Sequence, residues 1–462
     1  MAAQTGGPDI PHDIPPRAHT LDRALGPAGV MLLTLSALSP VASVYITGAG
    51  VLHLAGTGAA LAFLAGGMIA AILALLYAEL GAAFPGAGGI YASLARVLGP
   101  SGAFPCIALQ MVTGAPMMAF TAMGLADYVR VIVPGAPFLP ITLGALGVAC
   151  TLAALRVRTG AWITGMFLTV EMVALAVVTA VALLHPSRSL ATVLAQPVYL
   201  DHGALAPVPL TTLGLSVVAG VYASAGANWA LFFGEEMHDA QRRLGRVTAW
   251  AGLVASTTIA VPMILIVLSA PDLRTMLGAE APIAAFLTAT GGHTVAALVS
   301  LGVIAAIFNN QVALAMALAR FMFATGRDNI WPRLVNRAFA HLHAGWQSPV
   351  RATILLGLAS AFAVVLGEHV LLIIISGNVF EYLLMAVGVL AGRRQGSTGR
   401  WFRTSLHPLV PLFAFAAVAA FIVADWMDPD AGRPSMMLLS AVFLASLAYC
   451  RFYLRGRAIT WR

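Results

Sequence analysis

Few side chains in this sequence could do chemistry, and most stand inside apolar runs. There are 18 Asp and Glu in 462 residues, and all 25 Lys-or-Arg positions are arginine. Glu171 lies between Leu168, Val170, Met172 and Val173 with no cation near it in sequence. An acid in such a setting is a candidate proton carrier. Glu79 and the pair Glu235–Glu236 stand at the ends of apolar runs, where they could pair with loop arginines and close a gate; Glu381 stands within another run. Asp127 and Asp425 lie near run ends and are expected to be solvated. The amides Asn309, Asn310 and Gln311 interrupt a further run. They must either contact a bound solute or hydrogen-bond a neighbouring helix, because bare amides in hydrocarbon are costly. Cys106, Cys150 and Cys450 are far apart, and His341-x-His343 has no cysteine or carboxylate beside it, so neither a disulfide nor a metal site is readable. No cofactor or GxxxxGK[ST] nucleotide motif occurs. A membrane-embedded enzyme would need His, Asp or Cys clustered near one face. The sequence offers no such cluster.

The elements that must hold these residues are membrane spans. The chain is 60% hydrophobic and 9% charged, far from the balance of a water-soluble globule. Its net charge of +7 comes from scattered arginines and not from a basic face, which excludes nucleic acid as the main partner. Twelve stretches reach the roughly 20 apolar residues that a spanning helix needs. They lie near 28–53, 58–82, 103–129, 138–157, 160–184, 209–234, 245–270, 293–324, 350–367, 369–391, 409–426 and 434–455, and are numbered here as spans one to twelve. With the N-terminus inside, only Arg130, Arg188, Arg274 and Arg433 of the 25 arginines fall outside. Positively charged loops stay cytoplasmic, so both termini are expected there, in a bacterial inner membrane.

Spans one and six carry interruptions. Span one holds Ser39-Pro40, and proline removes a donor and clashes with the preceding turn. Span six holds Gly220, Ser224, Gly226 and Asn228. Broken backbone at that depth persists only where protein or a water-filled cavity satisfies the freed groups. Matched breaks five spans apart point to inverted repeats.

Three segments carry a family resemblance. Glu79-Leu80, Pro85, Gly88-Gly89 and Tyr91 form a pattern similar to the cytoplasmic signature of the amino acid–polyamine–organocation (APC) superfamily. Glu235-Glu236 resembles the acidic pair that follows span six there, and Arg320, Arg327-Asp328 and Ser348-Pro349-Val350 resemble the stretch after span eight. The resemblance implies an all-α, leucine-transporter-type fold of about 12 spans, with a 5+5 inverted repeat and discontinuous helices 1 and 6. The implied organisation is a cytoplasmic tail (1–27), a first repeat (28–184), an outer loop (185–208), a second repeat (209–391), a cytoplasmic loop (392–408), peripheral helices 11 and 12 (409–455) and a C-terminal tail (456–462). Many relatives carry Gly-Ser-Gly at the first break, where this chain has Ala42-Ser43-Val44. Many carry Gly-Phe-Glu at the second, where it has Gly226-Ala227-Asn228.

A helix N-terminus favours a carboxylate and a helix C-terminus a cation, so two facing breaks suit a zwitterion. Amides of Ser43, Val44 and Tyr45, beside Ala42, are expected to take a carboxylate. Carbonyls of Tyr222, Ala223 and Ser224 are expected to take an ammonium, with Gly226, Asn228 and Asn310 nearby. By resemblance Tyr222 sits where relatives place an aromatic lid; a packed ring is the plainer reading. Sodium sites of this fold use hydroxyls of span eight, and Leu301 to Ala324 contains no Ser or Thr. Some proton-coupled relatives use a lysine in span five, and this chain has none. The expected function is secondary transport of amino acids or small amines, by proton symport or exchange, without sodium. The alternatives are a non-transporting amino-acid sensor on the same fold, or a polyamine or other organic amine exchanger.

Overall fold

The structure is a computed structural model that describes residues 21–376, 379–453, 459 and 461. Most of the two expected tails therefore lies outside the described residues. Within them the chain is almost entirely helical, and nine helical stretches are long and apolar enough to cross a membrane. The exception is a hairpin in the loop after span five, Val198–Asp201 paired antiparallel with Ala204–Pro207. His202 and Gly203 both have positive φ at its tip, as a two-residue loop between twisted strands requires. Thr57 Oγ1 accepts from the Val198 amide at 2.8 Å and ties the hairpin to the start of span two.

Span one is two helices. Pro27–Leu38 ends at Ser39, whose φ of 49° is left-handed, and a second helical run begins at Pro40 and continues to Ala55. The break follows from the Ser39-Pro40 pair. A residue before proline is pushed out of the right-handed helical region, and a serine there can cap the helix that follows. Ser39 Oγ accepts from the Ala42 amide at 3.3 Å, which is that cap. Span six is also two pieces, Leu210–Ser224 and a 3-10 segment Ala227–Phe233, separated by extended residues at Ala225. The outer pieces of the two broken spans pack on one another, as do the inner pieces.

Small residues let the broken helices approach their neighbours. A Cβ added to Gly66 would lie 2.5 Å from the Gly220 carbonyl carbon, so spans two and six cross with their backbones in contact. Span five shows how one side chain is aimed inward. Thr164, Leu168, Glu171, Leu175, Val178 and Ala182 are buried at helical spacing, while Trp162, Met166, Val170 and Val173 face outward. Glu171 is thereby turned toward the bundle.

Candidate functional site

Glu171 lies at the break of span one. Its Oε1 accepts from Ser39 Oγ at 2.7 Å and from the Val41 amide at 3.0 Å. The carboxyl group thus occupies the positive end of the helix that begins at Pro40, where the backbone amides have no intrahelical partner. It is fully buried, and it forms no ion pair among the described residues. Its Oε2 has no hydrogen-bond partner.

Span eight is stitched to the same place. Asn309 Nδ2 donates to Ser36 Oγ at 3.0 Å, and Asn310 Nδ2 donates to the Ala37 carbonyl at 2.7 Å. Ser36 Oγ in turn donates to the Thr164 carbonyl of span five. Asn309 Oδ1, like Glu171 Oε2, is buried without a donor. Gln311 turns elsewhere and donates weakly to Met118 of span three at 3.4 Å. Spans one, five and eight therefore meet in one buried polar network of hydroxyls, amides and a single carboxyl group.

The expected carboxylate cradle is displaced from its sequence position. Ser43 has ordinary helical angles, its amide donates to the Ser39 carbonyl at 3.0 Å, and Val44 and Tyr45 continue the helical turn Ser43–Gly48. Counting back from Glu79 put the break at Ala42 to Val44, but the proline controls it and sets it at Ser39. Ser43, Val44 and Tyr45 stand about one turn past the break, in a stretch packed against Leu210–Ser224, while the Ala42 amide donates to Ser39 Oγ at the break itself. Tyr45 is buried with its hydroxyl unpaired, edge-on to Tyr128 at 6.3 Å.

Span six breaks after the helix Leu210–Ser224. The helix ends at Ser224, and the carbonyls of Tyr222, Ala223 and Ser224 receive no hydrogen bond among the described residues. Ser224 Oγ is buried and unpaired too. Gly226 meets span one directly, since a Cβ there would lie 2.8 Å from Leu38 Cδ1. Asn228 is half-buried on the inner piece.

Tyr222 is anchored and Asp425 is not solvated. The Tyr222 hydroxyl donates to Asp425 Oδ2 at 3.3 Å, and Asp425 is 8% exposed. The correction has a simple cause: span eleven packs on the outer piece of span six, so its last turn is covered. Tyr222 also lies 6.5 Å from Tyr382, which stands edge-on to Tyr77 at 6.4 Å. Tyr77 donates to Glu381 at 2.9 Å. This second cluster escapes sequence reasoning because its members come from four different spans.

Three ion pairs join the helix ends that carry Glu79, Glu235 and Glu236. Glu236 is paired with Arg320, both fully buried, and Arg320 also lies over the Phe233 ring at 5.2 Å. Glu235 is paired with Arg327 at 2.7 Å. Glu79 is paired with Arg393 and accepts from the Thr404 amide at 2.8 Å. The segment before span one joins the same ends, as the Leu25 amide donates to the Glu236 carbonyl at 2.9 Å. Ser36 and Ser39, which position the acid and the amides, were not singled out by sequence; a hydroxyl directly before a mid-span proline was the available signal.

Comparison with known proteins places the chain in a family. Uncharacterized transporters of Mycobacterium bovis and Mycobacterium tuberculosis are 26% identical to the chain over 359 residues, covering 76% of it and 73% of their own length. A family model described as amino acid permease matches residues 25–447, which takes in both broken helices, the Glu171 network and the inner ion pairs. The chain therefore belongs to the amino acid permease family of the APC superfamily, and is a multi-pass membrane transporter rather than an enzyme.

Proposed function

We propose that the protein is a proton-coupled secondary transporter of amino acids or related small amines that works by alternating access. The observation that carries this reading is the position of Glu171 on the Val41 amide at the break of span one. A substrate carboxylate seeks the same positive helix end. Two anions there would repel, so a proton on Glu171 makes room for the carboxylate. The substrate's amine would meet the free carbonyls of Tyr222, Ala223 and Ser224, with Ser43, Gly226, Asn228 and Asn310 completing the surroundings. The pairs at Glu79, Glu235 and Glu236 would hold the cytoplasmic gate.

The architecture proposed with it has twelve spans, of which 28–184 and 209–391 form the two inverted five-helix repeats. The stretch Pro27–Ala83 is 57 residues and Val350–Arg394 is 45, each long enough for two passes, and Phe138–Ala153 is a shorter apolar helix. The arginine distribution supports both termini in the cytoplasm of a bacterial inner membrane.

The test is transport in proteoliposomes with an imposed pH gradient and a panel of labelled amino acids and amines. Wild-type protein is expected to accumulate its substrate when the side of entry is acidic. Glu171→Gln keeps an oxygen for Ser39 and Val41 but cannot release a proton. It is expected to lose gradient-driven accumulation while retaining exchange of internal for external substrate. Undiminished accumulation in Glu171→Gln would sink the coupling role.

A further inference from the structure

A second binding site lies away from the broken helices. The short helix Arg333–Phe339 follows the long helix Pro282–Arg327 and has two faces. Leu334 and Ala338 line an apolar cavity of about 640 Å³, while Arg333 and Arg337, one turn apart, are exposed. The other walls include Gly114 of span three, Leu318 of span eight, and Leu355 and Ala359 of Val350–Ala363. Helical rise puts Leu355 and Ala359 about 7 and 14 Å from the start of their helix, and Gly114 about 21 Å from the start of its own. The cavity thus runs from the short helix toward mid-bilayer, as a lipid tail does. Leu334 is 79% exposed and Leu355 39%, so it opens sideways to the bilayer. Arg351 is also exposed and stands one turn before Leu355 on the same helix face. Arg333, Arg337 and Arg351 make no ion pair or hydrogen bond among the described residues.

We infer that this groove binds an anionic phospholipid, with one acyl chain in the cavity and the phosphate against Arg333, Arg337 and Arg351. An apolar groove alone accepts any tail. Three exposed arginines, each on the same helix as a cavity-lining residue and within one turn of it, select the headgroup, and each basic residue near the surface strengthens anionic-lipid binding by about fivefold. Arginine suits the phosphate because its planar fork can bond two oxygens at once.

The test is native mass spectrometry of the full chain in detergent, titrated with phosphatidylglycerol and with phosphatidylcholine of identical acyl chains. Phosphatidylglycerol is expected to bind more than about tenfold tighter. The triple variant Arg333→Gln, Arg337→Gln, Arg351→Gln is expected to reduce it to the phosphatidylcholine level. Ala359→Trp, which fills the cavity, is expected to weaken both lipids, and Leu355→Gln at the exposed mouth repeats that arm with little demand on packing. Equal binding of the two lipids to wild type, or a preference that survives the triple variant, would overturn the site. So would inorganic phosphate abolishing the preference while Ala359→Trp changes nothing, since the arginines would then hold a free anion.

Discussion

At the scale of single residues, two acids found in apolar runs behave differently because their donors differ. Glu171 is met by a hydroxyl and a backbone amide at a helix start, whereas Asp425 is met by one phenol. Asp425 therefore has a packing role that can be measured. Asp425→Asn keeps an oxygen for the Tyr222 hydroxyl and is expected to change stability by less than about 1 kcal/mol. Asp425→Leu strands the hydroxyl of the half-buried Tyr222 and is expected to cost about 1–3 kcal/mol. Thermal unfolding in detergent reads the difference, and equal effects of the two substitutions would contradict the pairing. That Glu171 stands within an apolar run was legible in sequence, but its inward aim was not, because the exposed face with Trp162, Met166, Val170 and Val173 is as apolar as the buried one. The burial of Asp425 was not, because it depends on which helix covers the end of span eleven.

At the scale of elements, apolar length located the helices, while the first break was displaced by four residues. A family count along the chain carries no steric information, but Pro40 does, and its effect falls on Ser39. The inner ion pairs were legible as residue types and not as partners. Arg320 was read for its resemblance to the family stretch after span eight, and it proves to be the counter-ion of Glu236. Removing one member of such a pair leaves an uncompensated buried charge, which costs about 3–5 kcal/mol. Arg320→Met and Glu236→Gln differ in that Gln still offers polar atoms to Arg320, so the first is expected to be the more damaging. The double variant is expected to recover part of the loss, because no charge is then stranded. A double-mutant cycle on unfolding free energies checks this, and simple additivity of the two single effects would show that the pair is not coupled.

At the scale of the whole molecule, the proposed proton coupling rests on how spans one and eight are joined. A sodium ion between them would need several hard oxygen ligands, and hydroxyls on span eight are absent from Leu301 to Ala324. The amides that stand there are turned with their nitrogens on span one, Asn310 Nδ2 on the Ala37 carbonyl and Asn309 Nδ2 on Ser36 Oγ, which leaves Asn309 Oδ1 as a free oxygen at this junction. The Ala37 carbonyl and Ser36 Oγ each already accept a hydrogen bond, which leaves each with one lone pair for a cation. Glu171 offers a cation only its second oxygen, because Oε1 serves two donors at the start of the helix that begins at Pro40, so the junction falls short of several free hard ligands. The same network accepts a proton without rearrangement, through the unpaired Oε2. Uptake into proteoliposomes is therefore expected to be unchanged when choline replaces sodium at fixed pH and membrane potential. Dissipating the pH gradient at constant sodium is expected to abolish accumulation while leaving exchange. Accumulation that follows the sodium gradient and ignores the proton gradient would mean that this junction opens to form a cation site, and that Glu171 acts there as a ligand rather than as a proton carrier.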